Sequence, residues 1–434
     1  MYLLYSLLSG GLLVVGLPYF LYRSLRQPGY ARSLVERVRV SEIETSENPK
    51  QAKQAEQAEQ AEQATIWLHA VSVGEVIAVA TLLPALERAF PDARFVVSVI
   101  TVTGRLVAED KLSGLENVAA VFYCPFDVAF LVRRVVDKVR PRALVIIETE
   151  IWPHLLRESK RAGAKTMIAA GRISDRSFPR YRRIRGFMKR FLAEVDGFCM
   201  QSELYRERIE ALGAPPERVQ VTGSVKFDAI APSVAHGKRV FPANRRVLVA
   251  GSTLDPEEEE LLHVFESLSR DAPDLFLVIA PRHPPRFDVV TELVRARGHR
   301  VIRRSDPNPD TDDADVMILD TLGELASLYE QSDYVFVGGS LTDWGGHNII
   351  EPASKGKPVV FGPHMRNFPD VARLFVEGNA AVQVENRDEL ESVLRDWIEN
   401  PERARELAAN TTRVIDDNRG ACERTVAALK ELLE

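Results

Sequence analysis

Apolar residues fall along this chain in short continuous runs, separated by longer stretches at helical spacing. In the first half the runs are Ile66–Val71, Phe95–Ile100, Ala119–Tyr123, Ala143–Ile147, Lys165–Ala170 and Gly197–Met200. They are continuous, not alternating, as strands covered by helices on both faces require, so the pattern predicts a doubly wound parallel sheet. A Pro- and Gly-containing stretch near 228–245 interrupts the rhythm, which then resumes with Arg246–Ala250, Leu275–Ala280, Val301–Ile302, Val316–Leu319, Tyr334–Val337 and Pro358–Phe361. Asp255-Pro256 followed by four glutamates reads as a helix start, with a capping acid, proline at the first helical position and acids facing the dipole. Two Rossmann-like domains are expected, at 65–235 and 245–434, with a cleft lined by the C-terminal ends of both sheets. The tail 388–432 reads as helical, and its end is expected to pack back on the first domain.

The N-terminal pattern differs. Residues 2–22 carry no charge, and Arg23, Arg26, Arg32, Arg37 and Arg39 follow. About 20 apolar residues suffice to cross a bilayer, and basic residues after the run place the body on the cytoplasmic side. A membrane anchor over 1–40 is the expectation. A helix lying in the interface competes with a span because Gly10, Gly11, Gly16 and Pro18 interrupt the run, and a cleavable signal lacks a basic start. Residues 41–64 change character, and from Gln54 onward Gln, Ala and Glu repeat every third position; that repeat has no face to bury and reads as a spacer.

The 434 residues exceed one ordinary domain, and 45% hydrophobic with 27% charged residues describes a globular protein. A net charge of −6 gives no electrostatic case for nucleic acid. Cys124, Cys199 and Cys422 have neither disulfide nor zinc spacing, and His69, His283, His347 and His364 form no metal set. The acidic stretch 306–315 lacks the glycine and terminal glutamate of a calcium loop.

Chemistry concentrates just after the strands. Gly338-Gly-Ser-Leu-Thr-Asp-Trp-Gly-Gly-His-Asn-Ile-Ile-Glu351 follows one strand and turns helical from Asn348, a candidate N-cap. Such a loop and helix start can hold a phosphate, although a tight turn needs the same glycines. Glu75 stands at the first strand-to-helix junction, where a carboxylate can act as general base or only favour the helix dipole. Glu148 and Glu150 follow the fourth strand, and in an extended segment only one of them should face the cleft. Lys226, in Gly223-Ser-Val-Lys-Phe-Asp228, offers a cation near the linker. Gly251–Thr253, Pro281-Arg282-His283 and Thr321–Glu324 also follow strands. Arg282 suits phosphate or carboxylate, and Glu351 suits ribose hydroxyls. No GxGxxG follows the first strand and no GxxxxGK[ST] occurs, which disfavours a dinucleotide or P-loop site.

Taken together, Leu68–Glu75, Glu148–Pro153, Gly223–Asp228, Pro281–Pro284, Gly338–Leu341 and Gly345–Glu351 resemble the 3-deoxy-D-manno-octulosonic acid (Kdo) transferases of lipopolysaccharide biosynthesis. The resemblance runs from about residue 66 to 420. It implies the two-domain GT-B glycosyltransferase fold with an N-terminal membrane-anchor helix at the inner membrane. It further implies inverting transfer of Kdo from CMP-Kdo to the lipid A precursor, without a metal or other cofactor. The family's general base falls on Glu75, and its transition-state-supporting positions fall on Glu148 and Lys226. Its CMP contacts fall on Pro281 and Arg282, on Leu322, Gly323 and Glu324, and on Asn348, Ile349, Ile350 and Glu351. The spacer and the basic flank 23–40 depart from the family pattern. A GT-B transferase of another nucleotide sugar, a sugar-nucleotide epimerase and a non-catalytic nucleotide-sugar binder are the alternatives.

Overall fold

The computed structural model describes residues 2–26, 29–39, 64–112, 114–229, 240–242, 244–307 and 311–434. Residues 41–63 of the expected spacer and 230–239 of the expected linker lie outside the described residues. The chain forms two compact units, Met1–Ala229 with Arg419–Glu434, and Ile230–Asn418.

The first unit is built on seven parallel strands: β1 (Thr65–Ala70), β2 (Arg94–Val99), β3 (Val118–Tyr123), β4 (Pro141–Ile147), β5 (Lys165–Gly171), β6 (Gly197–Met200) and β7 (Val219–Val221). Their order is β3-β2-β1-β4-β5-β6-β7, so the direction of winding reverses between β1 and β4. Every residue of β1 is buried, and alternate side chains enter opposite layers. Ile66, Leu68 and Ala70 pack with Val76, Leu83 and Val145, whereas Trp67 packs with Phe122, Val132 and Ile146. Covering both faces is what the continuous apolar runs require. Only the three-residue β7 was not anticipated, being too short to show a pattern.

The final helix, Ala421–Leu433, belongs to this unit and not to the domain 245–434 inferred from sequence. Ala421, Cys422, Val426 and Leu429 join the same buried layer as Val76 and Leu83. Asp228 fixes the helix start, its carboxylate accepting from the N–H groups of Gly420 and Cys422, each at 2.7 Å.

Among the described residues, no helix is long and apolar enough to cross a membrane. The N-terminal helix Tyr2–Arg26 lies along the first unit instead. The Tyr5 hydroxyl donates to Asp127 at 2.7 Å, Ser6 Oγ is 2.9 Å from His154 Nε2, and Phe20 packs on Phe126 near the other end. Leu7, Val15, Tyr19, Tyr22 and Leu25 remain exposed.

The second unit repeats the architecture with β8 (Arg246–Thr253), β9 (Leu275–Pro281), β10 (Val301–Arg303), β11 (Val316–Ile318), β12 (Tyr334–Val337), β13 (Val359–Phe361) and β14 (Val382–Gln383). Their order, β10-β11-β9-β8-β12-β13-β14, places the reversal between β8 and β12. The helix after β8 runs Glu257–Asp271, two residues later than its expected cap. Asp255 does not cap it but pairs with Arg286 at 3.0 Å.

Candidate functional site

In a doubly wound sheet, ligands bind beyond the carboxyl ends of the strands where the winding reverses. In the first unit that point is flanked by the segments after β1 and β4, which carry Glu75 and Glu148-Thr-Glu150. Ser72 starts the helix Val73–Ala89, and Glu75 lies in its first turn with 5% exposure. Its carboxylate accepts from the Val71 N–H at 2.6 Å and the Ser72 hydroxyl at 2.9 Å. Burial pushes the Glu75 carboxyl up to about 7; the two hydrogen bonds oppose the shift, while the charges of Glu148 and Glu150 add to it. A carboxyl that titrates near neutrality and is held in one orientation is suited to general base work.

The expectation that Glu148 and Glu150 face opposite ways is incorrect: both act on Glu75. Even in extended backbone, residues i and i+2 share a face, so the spacing is no reason to separate the two carboxylates; Glu148 in fact has φ +60°, in the left-handed region. That conformation is costly for a non-glycine residue and collects at functional sites. It is held by the Glu148 N–H, which donates to the Ala169 carbonyl at 2.9 Å. Next to it, Thr149 Oγ1 donates to the Arg172 carbonyl at 2.5 Å and accepts from the Arg172 N–H at 2.9 Å. The Arg172 guanidinium lies 3.8 Å from Glu148. Burial raises the Glu150 carboxyl, and Glu148 adds to the shift. Lys226 is half-buried in the turn Val225–Phe227, which packs against the helix bearing Glu75. His69 is structural: fully buried, it shares Ser98 Oγ with Trp67, and burial depresses it to about 3.

A charge run that passed unnoticed in the sequence belongs to the same unit. Residues 172–190 contain eight basic side chains and one acid, Asp175. They form the helices Phe178–Arg183 and Arg185–Leu192 after β5, where Ile184 and Phe187 are also exposed. Tyr181, on the first of these helices, has its hydroxyl raised by burial and by Glu150, which ties the basic segment to the carboxylate cluster.

In the second unit the expected donor residues also follow strands. Pro281 ends β9, and Arg282, exposed, donates its N–H to the Thr253 carbonyl at 2.9 Å. Leu322 is 78% exposed, and Gly323 has φ +86°, a conformation available to glycine. Glu324 is engaged by Arg304 at 3.0 Å and by Thr321. Asn348 Oδ1 accepts from the Ile350 N–H at 3.1 Å, but the helix that follows is only Ile350–Ala353. Ile349 and Ile350 are core residues, so only their main chain can meet a ligand. The Glu351 carboxyl is raised by burial, opposed by Lys355. His347 Nε2 is buried with no hydrogen-bond partner among the described residues; burial, with Arg282 and His283, lowers its pKa to about 4.

One expectation for the glycine loop is overturned. The N–H groups of Gly339, Ser340 and Leu341 already serve a carboxylate, that of the buried Glu257, at 2.6, 2.9 and 2.9 Å. They are not open to a phosphate.

Two seven-stranded parallel sheets of this topology define a GT-B-like protein. The fold is shared with the UDP-GlcNAc 2-epimerase of Neisseria meningitidis, at 14% identity and a TM-score of 0.60 over 85% of this chain and 100% of that one. Residues 39–229 match the family model described as 3-Deoxy-D-manno-octulosonic-acid transferase (kdotransferase). The 3-deoxy-D-manno-octulosonic acid transferase of Haemophilus influenzae is 32% identical, covering 85% of this chain and 87% of that protein. Its counterpart from Chlamydia pneumoniae is 29% identical over 97% and 94%. The chain belongs to the Kdo transferase family and is a glycosyltransferase.

Proposed function

We propose that this transferase moves Kdo from CMP-Kdo to a hydroxyl of the lipid A precursor, with inversion at the anomeric carbon. The observation that carries the reading is Glu75, a buried, oriented carboxyl brought to about 7 beside two further carboxylates. Ionised Glu75 takes the proton of the acceptor hydroxyl, whose oxygen forms the new bond to the anomeric carbon. The bond from that carbon to the phosphate oxygen breaks, and CMP leaves with its electron pair. Glu148 and Lys226 support the charge that develops at the sugar. Arg282 offsets the charge on the departing phosphate, and Glu351 accepts from the ribose.

The same reading places the protein at the cytoplasmic face of the inner membrane. The exposed apolar residues of the helix Tyr2–Arg26 and the basic helices within 172–190 support an in-plane association with an anionic bilayer. The basic segment also suits an acceptor that carries phosphate. The test is transfer of labelled Kdo from CMP-Kdo, generated in situ, to a tetraacylated lipid A precursor. Folded protein that transfers nothing, or Glu75→Ala protein with undiminished activity, would sink the proposal.

A further inference from the structure

The buried Glu257 lies where the second sheet reverses its winding, between the segments that follow β8 and β12. It is fully buried in the first turn of its helix. Its Oε2 accepts from Leu254 N–H at 3.0 Å and Gly339 N–H at 2.6 Å, and its Oε1 from Ser340 and Leu341 N–H, each at 2.9 Å. One internal anion therefore fills the nest that the glycine loop forms, and it joins the loops of two neighbouring strands. The fit is close: a Cβ on Gly338 would stand 2.6 Å from the Ser252 carbonyl oxygen, and one on Gly339 would stand 2.9 Å from His347 Nε2.

The loop held by Glu257 in turn holds the segment before Asn348. The Gly339 carbonyl accepts from the Gly346 N–H at 2.7 Å, and the Ser340 carbonyl accepts from the His364 N–H at 2.9 Å. Ser340 Oγ donates to the Val337 carbonyl at 2.5 Å and accepts from the Gly362 N–H at 2.8 Å. A chain of short contacts thus runs from Glu257 through Gly339 to Gly346 and His347, next to Asn348–Glu351.

We infer that Glu257 is a positioning residue of the donor site, a built-in anion that fixes the glycine loop and through it the Gly346–Glu351 segment that receives CMP. The inference rests on the donor reading above. It assigns the loop amides to Glu257 and leaves the donor phosphate to Arg282 and the Gly346–Glu351 segment.

Glu257→Gln in the full chain tests it. An amide has one acceptor oxygen, so two of the four N–H groups lose their partner and face an NH2. Unsatisfied buried donors of this kind correspond to about a ten- to hundredfold loss in an equilibrium constant. The expected result is a loss of CMP affinity of that size by calorimetry and a matching rise in KM for CMP-Kdo. KM for the lipid acceptor stays at its wild-type value, and amide exchange quickens across 338–351 but not across 66–76. Glu258→Gln is the matched control. Glu258 is equally buried but engages Arg286 and Thr253, so its variant should keep CMP affinity.

Undiminished CMP binding by Glu257→Gln overturns the role of Glu257 alone. An equal shift in Glu258→Gln, or in the acceptor KM, also overturns it, since either marks a general loss of structure. Wild-type protein that fails to bind CMP overturns the donor reading, and this role with it. If Glu257→Gln does not fold, Glu257→Asp, which withdraws the carboxylate by one methylene, is read in the same way.

Discussion

Glu75→Gln should make this transferase more stable and nearly inactive at the same time. Burial raises the carboxyl from its ordinary 4.5 to about 7. Between those values the folded protein holds a proton that the unfolded chain has released, so stability falls as pH rises through that window. By pH 8 the ionised side chain costs about 3 kcal/mol relative to its unfolded state. Glutamine never ionises, and its oxygen can still accept from the Val71 N–H while the Ser72 hydroxyl turns to accept from its NH2. The unfolding transition of the first unit, followed in denaturant, should therefore match wild type near pH 4. At pH 8 it should exceed wild type by up to about 3 kcal/mol. Kdo transfer at pH 8 should fall by about 10²- to 10⁴-fold, the usual contribution of a positioned base. A stability difference that does not grow with pH would refute the burial argument, and full activity would refute the assignment of the base.

Glu150→Gln removes a negative charge that helps to raise Glu75, so the acidic limb of kcat/KM should move below pH 7 while turnover persists; an unmoved limb would separate Glu150 from the base. Arg282→Lys keeps the charge but loses the planar fork, and KM for CMP-Kdo should rise about tenfold with the acceptor KM unchanged. Charge reversal at Arg182, Arg183 and Arg185 together should weaken binding to anionic vesicles at low salt by at least about tenfold. Equal binding in a flotation assay would remove the basic helices from the membrane surface.

The sequence made both sheets legible because their strands are buried on both faces and so read as continuous apolar runs. It did not show β7 and β14, which are three and two residues long and carry no periodicity. The return of the chain's end to the first unit was expected, but the domain boundary before Arg419 was not, because contacts far apart in sequence set it. Arg282 was visible because it stands directly after a strand, and Glu75 because it lies in the first turn of the helix that follows one. Glu150 was passed over on a misapplied alternation: residues two apart in an extended segment share a face, so its spacing from Glu148 was no reason to separate them. Glu257 looked like one of four acids favouring a helix dipole. Its burial against the glycine loop depends on the adjacency of β8 and β12, a property of topology alone. The eight basic residues of 172–190 were open to counting, but a net charge of −6 summed over the whole chain hides so local a cluster.

In the proposed single displacement, a hydroxyl activated by Glu75 attacks the anomeric carbon as CMP departs. The most direct measurement is the anomeric configuration of the transferred sugar, read by NMR on the lipid product of the full chain acting on CMP-Kdo. A single displacement gives a configuration opposite to that of the donor. A product that retains the donor's configuration would mean two successive displacements through an intermediate, and would contradict it.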